Sequence, residues 1–146
     1  NIYEKWDAEK PDNYVRSLSR LYRLFADIYN EYNNCDSNYN EYVDYAKRFV
    51  KENYCNTELT VSDIADRLNI SEVYLRRLFA RYEGISPKAY LQQFRIKTAS
   101  AYLSSGGLSI KEIALLCGFR DEKYFSTAFK SAVGVSPTKY IYELYE

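Results

Sequence analysis

Two short stretches of this chain carry side chains suited to gripping a polyanion. From Glu72 to Tyr82 the spacing puts Val73, Arg76, Arg77, Ala80 and Arg81 on one side of a helix. Leu75, Leu78, Phe79 and Tyr82, at i, i+3, i+4 and i+7, lie on the other. A guanidinium fork donates parallel hydrogen bonds, so it fits the O6 and N7 acceptors of guanine as well as phosphate oxygens. A second helix turns Glu122, Lys123, Ser126, Thr127 and Lys130 outward and Phe125, Ala128, Phe129 and Ala132 inward. The first face is strongly basic, the second polar and less charged. Taken alone, either is also what an ordinary solvated helix surface looks like.

Other chemistries are excluded by composition. The 146 residues include no histidine, so there is no imidazole base, His-based triad or His metal ligand. Cys35, Cys55 and Cys117 lie 20 and 62 residues apart, form no CxxC pair, and fit reduced thiols better than a disulfide frame. Five glycines form neither a dinucleotide fingerprint nor a phosphate loop. No cofactor or metal is expected, and catalysis is disfavoured. The longest apolar run, Ile113 to Cys117, is far short of the ~18 residues of a spanning helix, and no signal peptide opens the chain. A soluble, cytoplasmic protein is expected. The start at Asn1 and the lack of methionine point to a piece of a longer protein.

The formal charge of zero hides an uneven distribution. Residues 1–40 carry five basic and seven acidic side chains, residues 41–59 three and four, and residues 60–146 twelve and nine. The net of +3 over the last 87 residues is compatible with a polyanion partner without requiring one.

The elements that must position the two faces form a repeat. Ile64-Ala65 recurs as Ile113-Ala114 at an offset of 49. Leu75, Phe79, Gly84, Ser86-Pro87 and Tyr90 recur as Phe125, Phe129, Gly134, Ser136-Pro137 and Tyr140 at an offset of 50. Two copies are too few for a solenoid. Each unit reads as a helix, a tight turn and a second helix. In the first, Thr60 caps one helix, with Asp63 in its first turn. Asn69 ends that helix in a left-handed conformation, and Ser71 caps the next. In the second, Ser109 and Glu112 form a capping box, Gly118 stops the helix, and Asp121 caps its successor. Between the units Ser86 caps and Pro87 opens a connecting helix, with Tyr90, Leu91, Phe94, Ala99, Ala101, Tyr102 and Leu103 as apolar contacts. Roughly 17 residues span about 25 Å, so such a strut could hold two helices near the ~34 Å spacing of successive major grooves.

Upstream, Tyr14, Val15, Leu18, Leu21, Tyr22, Phe25, Ile28, Tyr29 and Tyr32 form a broad apolar stripe on another helix, followed by a polar, turn-forming stretch. Tyr42, Val43, Ala46, Phe49 and Val50 mark a further amphipathic helix, and no strand pattern is found. The fold class is therefore all-α: two tandem helix-turn-helix lobes joined by a long connecting helix, preceded by an amphipathic N-terminal helix.

Residues 41–143 resemble the DNA-binding domain of the AraC/XylS family of bacterial transcription regulators. The resemblance rests on Ile64-Ala65 with Leu75 and Phe79, Gly84-Ile85-Ser86-Pro87, and Arg95-Ile96 leading to Ala101-Tyr102-Leu103. The second unit adds Ile110 to Ala114, Gly118-Phe119, Tyr124-Phe125-Ser126, Phe129-Lys130 and Gly134-Val135-Ser136-Pro137 with Tyr140. It implies a seven-helix, two-lobed domain that places the second helix of each lobe in a major groove of duplex DNA. By position, Val73, Arg76, Arg77, Lys123, Ser126 and Thr127 would contact bases, and Thr60, Arg81, Ser109 and Lys130 phosphates. It also implies a transcription activator that meets RNA polymerase. Thr127 and Ile141 stand where the family often has arginine, so the first lobe is expected to supply more base-specific energy.

Tyr3-Glu4-Lys5-Trp6, Lys10-Pro11 and the Leu18 to Tyr32 helix are similar to the tail of the effector-sensing domain in Gram-positive members. The implied division is residues 1–33 as tail of an upstream effector and dimerisation domain and 34–40 as linker. Residues 41–146 form the DNA-binding domain: lobe 1 over 41–86, connecting helix 87–104, lobe 2 over 105–146. A homodimer through the N-terminal segment or the upstream domain is expected. The competing reading is a helical protein-interaction module that has lost specific DNA binding. A third, a methyl-accepting repair protein with a related helix-turn-helix region, needs an activated cysteine, and no Cys or His neighbours any of the three thiols.

Overall fold

The computed structural model describes residues 11–33 and 37–144. Those residues form eight helices and no strand. They are α1 (Pro11–Asn33), α2 (Ser37–Asn53), α3 (Val61–Arg67), α4 (Glu72–Tyr82), α5 (Pro87–Ser105), α6 (Ile110–Leu116), α7 (Glu122–Val133) and α8 (Pro137–Leu144). Two helix-turn-helix units, α3–α4 and α6–α7, flank α5, as the repeat predicts. Helix α2 already opens at Ser37, within the polar stretch. A polar first turn carries no apolar period by which a helix could be recognised. Cys35 and the aromatic Tyr3 and Trp6 lie outside the described residues.

Each lobe closes over its own core. In lobe 1, Val43, Ala46 and Val50 of α2 meet Ile64 and Ala65 of α3, Leu75, Leu78 and Phe79 of α4, and Leu91 of α5. In lobe 2, Ile96, Ala99 and Leu103 of α5 meet Ile113, Ala114, Cys117, Phe119, Phe125, Ala128 and Phe129. Helix α5 is thus shared: its first half buries into one core and its second half into the other, on different faces, which blurs any single apolar stripe. Ala101 and Ala132, expected inside, are exposed, whereas Tyr74, read as neither face, is buried. An alanine covers too little area to hold its helix face inward against larger neighbours.

The repeat is preserved atom for atom at two points. Phe79 packs edge-on against Tyr90 at 5.6 Å between ring centroids, and Phe129 against Tyr140 at 5.4 Å. In each turn, the amide two residues past the C-cap, Leu68 or Cys117, reaches back five positions. Ile70 donates to the Ala65 carbonyl at 3.1 Å and Phe119 to that of Ala114 at 2.9 Å. The residue between is left-handed in both, Asn69 at φ 56° and Gly118 at φ 79°.

The lobes leave the apolar stripe of α1 uncovered. Val15, Leu18, Leu21, Tyr22, Phe25, Ile28 and Tyr29 remain between 38 and 68 % exposed. The helix instead meets lobe 1 through its polar edge. Asp27, 7 % exposed, accepts a hydrogen bond from the Ser71 hydroxyl, and Arg23 pairs with Asp66.

Candidate nucleic-acid interface

Helix α4 begins where Ser71 Oγ accepts the Tyr74 amide at 3.2 Å. That cap fixes which residues face outward. Val73, Arg76, Arg77 and Arg81 are all exposed, opposite the buried Leu75, Leu78 and Phe79. Arg76 Nη2 is 2.7 Å from Glu72 Oε2, an i, i+4 pair open to water and therefore worth only about 0.3–0.5 kcal/mol. A base or phosphate can displace it at little cost. Arg81 lies over the Tyr82 ring, 5.6 Å from its centroid.

Helix α7 repeats the arrangement with weaker groups. Asp121 Oδ1 accepts the Tyr124 amide at 2.7 Å. Lys123, Thr127 and Lys130 are exposed and Ser126 is half-buried. The Thr127 hydroxyl donates to the Lys123 carbonyl at 3.0 Å. Its hydrogen is committed, so toward a base edge it offers an acceptor and a methyl group, suited to an exocyclic amine or a thymine methyl.

The structure therefore brings the six predicted base-facing residues onto two corresponding helix faces. At the two predicted helix-start contacts it finds the hydroxyls already engaged. Thr60 and Ser109 each close a capping box, with Thr60 Oγ1 2.7 Å from Asp63 Oδ2 and Ser109 Oγ 2.6 Å from Glu112 Oε2. The Ser109 hydroxyl and amide hold the Glu112 carboxyl below its ordinary range. A phosphate arriving there would meet backbone amides beside a carboxylate, not a hydroxyl.

What the residue pattern missed is the joint that sets one face against the other. Arg95, half-buried on α5, donates from Nε to the Tyr54 carbonyl at 2.9 Å and from Nη2 to that of Asn56 at 2.7 Å. Burial pulls its guanidinium below its ordinary pKa. Its other side lies over the Phe119 ring at 5.9 Å, so one side chain ties the loop after α2 to the turn of lobe 2. At Gly118 a Cβ would sit 2.1 Å from the Tyr54 carbonyl oxygen and 2.9 Å from Arg95 Nε. The available signal was the repeat itself: where the first unit tolerates Asn69, the second has glycine.

Comparison with known proteins agrees with this geometry. A helix-turn-helix domain family model matches residues 64–142. The chain is 34 % identical over 137 residues to the Msm operon regulatory protein of Streptococcus mutans, covering 90 % of this chain and 49 % of that protein. It therefore spans about half the length of that relative. Among solved structures it is similar to the C-terminal domain of AraT, a response regulator from Geobacillus stearothermophilus. That match has 38 % identity and a TM-score of 0.68, covering 70 % of this chain and 84 % of that one. The DNA-binding domain of AdpA, solved in complex with a target DNA, matches with 26 % identity and a TM-score of 0.60, covering 72 % of this chain and 90 % of that one. With a paired helix-turn-helix fold, two matched outward faces and these relatives, the chain belongs to the AraC/XylS family of helix-turn-helix transcription regulators.

Proposed function

We propose that this chain is the DNA-reading part of a transcription activator that inserts α4 and α7 into successive major grooves of one duplex. The observation that carries this is the correspondence of the two outward faces across a 19-residue α5, about 28 Å long at 1.5 Å per residue. Val73, Arg76 and Arg77 read bases in lobe 1; Lys123, Ser126 and Thr127 contribute weaker readout in lobe 2; Arg81 and Lys130 contact phosphates, as do the helix starts at Thr60 and Ser109. Inserting five base pairs between the two half-sites of a preferred duplex turns one site to the opposite side of the helix. We expect that insertion to reduce affinity to that of a single half-site; unchanged affinity would mean that only one lobe reads the site, and no preference for any duplex over random DNA would favour the interaction-module alternative.

Residues 1–33 serve as the tail of an upstream effector domain, and the outward apolar stripe of α1 suits contact with that domain or with a second chain. Residues 34–40 link this tail to lobe 1. RNA polymerase is the proposed partner on the promoter, and the site of action is the cytoplasm.

The chain works without chemistry of its own. Cys117 is fully buried, and burial pushes its thiol up from the ordinary value near 9 to about 11. Such a thiol is a poor nucleophile. At neutral pH an alkylating reagent should label the exposed Cys55 and spare Cys117 until the chain unfolds. Peptide mapping by mass spectrometry reads both sites, and rapid native labelling of Cys117 would contradict this account. The raised pKa also fixes a pH dependence. The neutral thiol's contribution is complete below about pH 9 and is lost as pH rises toward 11, because the unfolded chain gives up that proton first. The stability difference between the wild type and Cys117→Ala should shrink across that window.

A further inference from the structure

Helix α1 stands against the very end of α4 that carries Val73. Arg16, Arg20 and Arg23, spaced i, i+4 and i+7, share one side of α1. They line an open cavity of about 640 Å³ together with Ser62 of α3 and Val73 of α4. Along α1 these three cations stand with three carboxylates, Asp12, Asp27 and Glu31, of which Asp27 is turned inward onto Ser71. Arg23 pairs with Asp66, while Glu72, the other acidic group on this cavity, pairs with Arg76. A helix whose N-terminal end enters a major groove about 12 Å wide has a phosphate strand on each flank. On this flank the strand would run through the cavity, along the arginine side of α1.

We infer that Arg16 and Arg20 are additional DNA contacts, which grip the backbone flanking the lobe 1 half-site. Asp27 is the positioning residue that holds α1 there through the cap of α4. This rests on the reading of lobe 1 given above and adds to it a backbone surface outside the two helix-turn-helix units. Such contacts strengthen binding without choosing sequence.

The test uses the whole chain and two fluorescent duplexes of equal length, one enriched from a random library and one unrelated. Alanine suits an exposed helix position, so Arg16→Ala with Arg20→Ala should leave folding intact. The double variant should lower the slope of log affinity against log salt by about 1.8, roughly 0.9 per lost phosphate, equally on both duplexes. Asp27→Ala should give the same loss with both arginines present, and Asp27→Asn, which keeps a hydrogen-bond acceptor, should restore it. An unchanged slope, or tighter binding that marks α1 as a shield over Val73, overturns the inference. So does a normal slope in Asp27→Ala. Arg77→Ala on the enriched duplex separates the two failures: if it weakens binding while the α1 variants do not, lobe 1 reads DNA and only the flanking contact is lost.

Discussion

Gly118→Ala should destabilise the chain by about 3–5 kcal/mol and loosen one lobe from the other. Two costs add. A left-handed backbone at φ 79° costs an L-residue roughly 1–2 kcal/mol. The new Cβ would also lie 2.1 Å from the Tyr54 carbonyl oxygen, a backbone atom that no rotamer change can move aside. Relief requires the loop after α2 to retreat, and with it the carbonyls of Tyr54 and Asn56 that receive Arg95 at 2.9 and 2.7 Å. Hydrogen bonds to a charged donor contribute about 1.5–3 kcal/mol each. Gly134→Ala supplies the control: its φ is 93°, but nothing lies within 4 Å of the added carbon, so only the backbone term of roughly 1–2 kcal/mol applies. Urea unfolding of the two variants measures the difference. Equal losses would mean that the lobe junction is not the rigid joint described here.

The second large effect is on binding. Arg77→Ala or Arg76→Ala should each cost about 1–3 kcal/mol, roughly 5- to 150-fold in affinity, and relax preference at one base position. The corresponding changes on α7 should cost less. Ser126 is half-buried, and the Thr127 hydrogen is already donated to the Lys123 carbonyl, so neither offers a charged fork. Titrating the enriched duplex and its single-base variants with each mutant separates the two classes. A loss from Thr127→Ala as large as that from Arg77→Ala would reverse the assignment of lobe 1 as the principal reader.

Most of this architecture is legible in the residues because its punctuation is local. Thr60, Ser71, Ser86, Ser109 and Asp121 each cap the helix their position predicts, since a side-chain oxygen satisfies amides only two or three residues away. The two lobes follow from the repeat, which fixes both aromatic pairs at nearly the same separation. Features that depend on distant segments are not legible in that way. Arg95 carries no mark that its partners are the carbonyls of Tyr54 and Asn56, about forty positions back. The ion pair between Arg120 and Glu58, across the same junction, is equally silent in sequence. Helix α1 is the clearest case. Its apolar stripe gives no sign of which residue meets lobe 1; that residue is Asp27, because the cap of α4 offers a hydroxyl that a carboxylate can accept from.

The most direct test of the central claim is a binding selection from a random duplex library with the 146-residue chain. Two short motifs, about one helical turn apart and on the same side of the duplex, should be enriched, and their affinity should fall steeply with salt. Enrichment of no sequence over random DNA would contradict the reading of α4 and α7 as a paired set of recognition helices.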